Sequence, residues 1–204
     1  MSTDAPQTSE EEYNPLIRDC YDPDLLPWDG TSDIWIFGYG SLMWNPGFDF
    51  SQSRPATLQN YHRSFCIQSH VYRGTPEKPG LVLGLDEGGS CFGMGYRVTP
   101  DQAVPALDYL FRRELVTGVY LPRWCDMVLD SGEKVRCATF VADRRHYQYA
   151  GNLKLDELVF LALQGRGTGG TCVDYIRNTV EHLRELGIRD EGLEELLAAV
   201  ETAG

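Results

Sequence analysis

The chain has 204 residues, 30 acidic and 18 basic, for a net charge of −12. Its 42% hydrophobic and 24% charged residues suit one globular domain with a sizeable core. The acidic surplus excludes general nucleic-acid binding, which draws on Lys and Arg contacts to phosphates, and adhesion to anionic membranes, so an acidic substrate has to be held by a locally basic or amide-rich site.

Residues 1–30 carry Pro6, Pro15, Pro23, Pro27 and the run Glu10-Glu11-Glu12, which reads as an acidic arm, either flexible or loosely wrapped, ahead of a single domain over 31–204. The start lacks the basic residues and apolar run of a signal peptide. No apolar run approaches ~18 residues, so no membrane-spanning helix is expected. The six cysteines are scattered without a CxxC pair, which reads as reduced thiols in a cytoplasmic protein.

Strands are predicted over 34–38, 56–72, 81–86, 91–98, 120–129 and 134–142, where β-branched and aromatic residues fall between glycines and prolines. Helices are predicted over 155–164, over 172–186 behind Thr171 as cap and Gly187 as stop, and over 191–202 behind Asp190. The outline is α+β: a small mixed β-barrel with flanking helices and a helical C-terminal region.

One helix interrupts the strands. Thr99-Pro100-Asp101-Gln102 has the pattern of a capping box with Pro at the first position, and the helix runs on to Glu114. Val104, Leu107, Leu110 and Phe111 form an apolar stripe, and Glu114 falls inside it while Asp108, Arg112 and Arg113 lie off it. A carboxylate on an apolar face is costly unless paired or used. Glu114 either leans out where the helix ends, or is enclosed with a raised pKa suited to acid–base work.

Several motifs are set aside. Gly38-x-Gly40 lacks the third glycine of a dinucleotide fingerprint, and Pro46-Gly47 follows where a helix should begin. Gly165 to Gly170 follows a helix rather than a strand, so it reads as a helix–helix connection rather than a phosphate cradle. His62, Cys66 and His70 fall on one face of a strand, but the outer two are about 26 Å apart at ~3.3 Å per residue, too far to share a metal. Arg73, in the turn-rich loop to Gly80, either solvates that loop or offers positive charge to a substrate carboxylate.

Four landmarks in order carry a family resemblance: Phe37-Gly38-Tyr39-Gly40-Ser41-Leu42; Arg73-Gly74-Thr75-Pro76-Glu77 running to Pro79-Gly80-Leu81; Tyr109-Leu110-x-x-Arg113-Glu114; and Tyr149-Ala150-Gly151. Together they resemble the ChaC family of γ-glutamylcyclotransferases. The resemblance implies a γ-glutamylcyclotransferase-like fold acting on glutathione, with 5-oxoproline and Cys-Gly as products. It places Tyr39, Gly40, Ser41 and Leu42 in the loop that holds the γ-glutamyl group, Glu114 as acid/base, and Tyr149 among the substrate-binding residues. The substrate's own amine closes the ring, so the chemistry calls for no metal, cofactor or covalent nucleophile. Other γ-glutamyl amino acids or amines as substrates, and a non-catalytic binding module on the same fold, remain open alternatives. Protein partners are not indicated.

Overall fold

The computed structural model describes residues 20–151 and 153–204. The acidic run at 10–12 lies outside these residues, as does the rest of the arm up to residue 19. Residues 20–30 wrap against the domain. Leu26 is fully buried, the Tyr21 N–H donates to Asp108 Oδ1 at 2.7 Å, and Trp124 Nε1 donates to the Pro27 carbonyl at 2.7 Å.

Five strands close a barrel in the order β1-β3-β2-β4-β5: β1 (Ile34–Gly38), β2 (Gln52–Ser69), β3 (Gly80–Val98), β4 (Tyr120–Leu129) and β5 (Lys134–Ala142). Neighbours are antiparallel except β1 and β5, which pair in parallel through Trp35↔Cys137 and Ile36↔Ala138 and complete the closure. β1 is apolar on both faces because both are covered. Ile34 and Ile36 face one core cluster, Trp35 and Phe37 the other.

The strands expected at 81–86 and 91–98 are one strand. Gly88 and Gly89, with φ of +96° and +70°, absorb a left-handed kink that would have ended a chain of side-chain-bearing residues. Opposite them, Asn60 also has positive φ (67°), and the β2–β3 register shifts between Gln59 and Tyr61. A second irregularity falls between Ser64 and Ile67. These irregularities overturn the expectation that His62, Cys66 and His70 share a face: His62 is exposed, Cys66 is buried, and His70 lies beyond the strand's end.

The interrupting helix is α1 (Pro100–Glu114). Its buried stripe is Ala103, Ala106, Leu107, Leu110 and Phe111 rather than one built on Val104, which is exposed. The stripe is centred on 103, 107 and 110, a spacing that Glu114 continues and from which Val104 is turned by about 100°. Each buried Leu or Phe contributes about 1.5–3 kcal/mol, enough together to hold one ill-suited carboxylate on that line. The expected capping box does not form: Thr99 makes no side-chain cap, and the Gln102 amide bonds Asp101 instead.

Three helices follow the barrel: α2 (Leu155–Gln164), α3 (Cys172–Glu185) and α4 (Glu191–Ala203). Thr171 accepts from the Asp174 N–H and Asp190 from the Leu193 N–H, as the sequence predicts. The glycine-rich run joins α2 to α3 as expected, folded into a tight hairpin of β6 (Arg166–Gly167) and β7 (Gly170–Thr171).

Candidate active site

The chain leaves β1 at Gly38, turns sharply, and forms a single 3-10 turn over Ser41–Met43. The turn is tight enough that Leu42 lies over Gly38. A Cβ on Gly38 would meet the Leu42 Cβ at 2.9 Å. The Tyr96 hydroxyl fixes the far side by donating to the carbonyls of Leu42 (2.9 Å) and Met43 (3.0 Å). Ser41 and Leu42 open the 3-10 turn, so their N–H groups have no carbonyl partner within it.

Beneath this turn lies a cavity of about 70 Å³ lined by Tyr39, Gly40, Ser41, Leu42, Glu114 and Tyr120 among others. It shares Ser41, Glu114, Tyr120 and Tyr175 with a larger outer cavity of about 400 Å³. The pair makes one cleft with a narrow inner end and a mouth of the size that small-molecule sites have.

Glu114 is the last residue of α1 and stands where the two cavities meet. Its side chain is 19% exposed, so it is enclosed by protein yet open to a ligand in the cleft. Burial holds its pKa above the ordinary 4.5, and the Arg113 guanidinium, 3.3 Å away, pulls it partly back. The phenols around it are neutral. Burial raises Tyr39 and Tyr120 well above 10 and Tyr175 up to about 12. Among the described residues of the inner cavity, Glu114 is the only carboxyl group.

The structure brings Tyr39, Gly40, Ser41, Leu42 and Glu114 together. Arg73 stands in the outer cavity, its guanidinium 4.9 Å from the centre of the Tyr175 ring and bonded to the Gly169 carbonyl of the hairpin. Tyr149 is not part of the lining. Its hydroxyl donates to Asp86 Oδ2 at 2.7 Å, inside an ion pair between Asp86 and Arg144, so it ties β3 to the loop after β5. Asp86 is buried and takes this bond together with the Arg144 pair, which commits the phenol's proton.

Three further residues line the cleft: Arg113, Tyr120 and Tyr175. Arg113 donates through Nη2 to Ser41 Oγ at 2.7 Å and through Nη1 to the Asn45 carbonyl and the Tyr109 hydroxyl, so it fastens the turn to the helix that carries Glu114. The spacing of Tyr109 and Arg113, four residues on one helix face, was the available signal. Tyr120 lines both cavities and donates to the Leu83 carbonyl at 2.5 Å, and Tyr175 comes from α3. Tyr120 follows a glycine and a turn, which is its only local mark, and Tyr175 has none of that kind; each reaches the cleft through barrel closure or helix docking.

The barrel, its order of strands and its covering helices define the γ-glutamylcyclotransferase-like fold. A crystal structure of a yeast γ-glutamylcyclotransferase specific to glutathione superposes with a TM-score of 0.75 over 84% of this chain and 97% of the other, at 21% identity. Residues 34–203 match the family described as ChaC-like protein, and the chain belongs to that family. It is 40% identical over 167 residues to the glutathione-specific γ-glutamylcyclotransferase of Escherichia coli (strain K12), covering 82% of this chain and 72% of that one. It is 31% identical to the human glutathione-specific γ-glutamylcyclotransferase 1, covering 83% and 79%.

Proposed function

We propose that this protein is a glutathione-specific γ-glutamylcyclotransferase of the cytoplasm, releasing 5-oxoproline and Cys-Gly with Glu114 as general acid and base. The observation that carries the reading is the enclosed carboxylate of Glu114 facing an amide-rich turn across a small cavity, in a chain whose curated relatives are named for that reaction.

The chemistry follows from the geometry. The γ-glutamyl group folds into the inner cavity, so its α-amine and its γ-carbonyl carbon meet within one molecule. Glu114 takes a proton from the α-ammonium. The amine attacks the carbonyl, and the oxygen becomes negative beside the Gly40 to Leu42 turn, where N–H groups stabilise it. Glu114 then gives its proton to the departing amine of Cys-Gly as the C–N bond breaks, and the carboxylate so regenerated takes the second proton from the ring nitrogen and passes it to solvent, leaving the neutral lactam. A pKa above the usual carboxylate range suits both steps. Ser41, held by Arg113, and Tyr39 fix the γ-glutamyl unit; Arg73 in the outer cavity meets a carboxylate of the rest of the tripeptide.

Incubation of the purified protein with glutathione tests this, with 5-oxoproline and Cys-Gly measured together. Equimolar appearance of both supports the reading. A folded protein that leaves glutathione intact but releases 5-oxoproline from another γ-glutamyl compound moves the substrate, and no 5-oxoproline from any of them removes the enzymatic reading.

The pH profile carries a second test. Activity requires Glu114 ionised at the start, so kcat/KM falls as pH drops through its raised folded pKa. Arg113 lowers that pKa. In Arg113→Met the acid limb is therefore expected to move to higher pH, with a weaker maximum because Ser41 loses its anchor. An acid limb that stays in place would remove Arg113 from the tuning of Glu114.

A further inference from the structure

Arg63 lies on β2 with its side chain only 2% exposed, and it lines neither cavity of the cleft. A buried guanidinium is costly unless its donors are used, and here all three nitrogens are. Nε donates to the Tyr39 carbonyl at 2.5 Å, and Nη2 to the Phe92 carbonyl at 2.6 Å and the Met43 sulfur at 3.7 Å. Nη1 donates to Asp190 Oδ2 at 3.1 Å. Asp190 is in turn the cap of α4, where its other oxygen accepts from the Leu193 N–H at 3.3 Å.

The bond to Tyr39 sets the direction of a peptide plane. The described residues contain no cis peptide, and in a trans peptide the C=O and the N–H point in opposite directions. The Tyr39 carbonyl is thus held by Arg63, a residue that lines neither cavity. The N–H on the other edge of that plane belongs to Gly40, which lines the inner cavity. Having no side chain, Gly40 leaves the approach to its amide open.

We infer that Arg63, fixed by Asp190, is a positioning residue that aims the Gly40 N–H at the oxygen of the scissile carbonyl. The C-terminal helix thus helps to set the donor geometry of a cleft that none of its residues lines. The identity of the reacting oxygen rests on the cyclotransferase reading; the orientation of the peptide does not.

The test pairs Arg63→Lys with Asp190→Asn. Lysine keeps the charge but cannot fork between two carbonyls and a carboxylate. Asparagine keeps an oxygen for the Leu193 N–H while removing the charge that holds Arg63. With activity normalised to the folded fraction, Arg63→Lys is expected to lower kcat about 10–100-fold with KM within about twofold, as for a misaimed transition-state donor. Asp190→Asn is expected to move kcat the same way by less. The Gly40 amide resonance should shift in both. Lower melting temperatures with an unchanged kcat per folded molecule would make Arg63 merely structural and overturn the inference, as would a loss expressed in KM alone. Should the wild type leave glutathione intact, the functional reading fails by itself. The Gly40 amide then still decides the clamp, since an unmoved resonance in folded Arg63→Lys rejects it.

Discussion

Glu114→Gln is expected to abolish most turnover of glutathione, by about 10³-fold in kcat, while the protein stays folded. The amide has the size of the carboxyl and keeps a hydrogen-bonding end, but it neither takes a proton from the α-ammonium nor returns one to the leaving amine. KM should change little, because the proposed binding of the γ-glutamyl group draws on the turn and on Ser41, held by Arg113, rather than on Glu114. Comparable product from wild type and variant would leave the reaction standing and remove Glu114 from its role.

The same substitution has a sign in stability. The folded pKa of Glu114 is raised by burial above 4.5, so the folded state binds that proton more tightly than the unfolded chain does. The corresponding stability is fully present below the unfolded pKa and is lost as pH rises through the folded one. At neutral pH the ionised, enclosed carboxylate is therefore a net cost, partly offset by Arg113. Glu114→Gln should melt at the same temperature as the wild type or higher at pH 7, with the difference shrinking as the solution is acidified. Thermal melts at a series of pH values check this, and a variant that melts lower at pH 7 would mean that the Arg113 pairing outweighs desolvation. Active and inactive proteins thus separate by rate while the ranking by stability runs the other way, as expected for a group kept for chemistry rather than for folding.

Much of this arrangement was legible because local chemistry and global fold agree over most of the chain. Glycine and proline punctuate the strands, Thr171 and Asp190 cap the helices they precede, and the stripe on α1 runs straight to Glu114. What was illegible depends on partners far along the chain. The parallel pairing of β1 with β5 joins residues about a hundred positions apart and leaves no mark on either strand. Gly88 and Gly89 resemble a turn and are instead a kink within one long strand, a choice made by the pairing with Asn60's irregularity in β2. Tyr149 carries a family landmark, yet Asp86, 63 residues away, claims its hydroxyl. Arg63 gives no local signal at all. Its burial becomes sensible only once Asp190, 127 residues on, stands beside it.

Gly40→Val is expected to reduce kcat/KM about 10²-fold or more, with a melting temperature lower by about 2–12 °C. A Cβ there would meet only the tip of Leu83, at 3.3 Å, which a flexible side chain absorbs. Overpacking of this kind costs about 1–3 kcal/mol, and in a domain of this size each kcal/mol lowers the melting temperature by about 2–4 °C. The branched methyls beyond that Cβ, however, crowd the inner cavity of about 70 Å³, the proposed seat of the γ-glutamyl group. They also crowd the approach to the Gly40 amide, the proposed oxyanion donor, and losing one such donor typically costs 10²–10³ in kcat. Gly38→Ala supplies the contrast. Its Cβ would press on the Leu42 Cβ at 2.9 Å and on the Leu42 backbone at 3.3 Å, so the turn itself has to open. That variant should lose more stability from one methyl than Gly40 loses from three carbons. If Gly40→Val instead turned over glutathione at the wild-type rate, the turn would not be where the carbonyl oxygen sits. The donor would then have to be sought on the other walls, where the hydroxyls of Tyr120 and Thr139 already donate to carbonyls and that of Tyr175, accepting from the Leu83 N–H, keeps its proton.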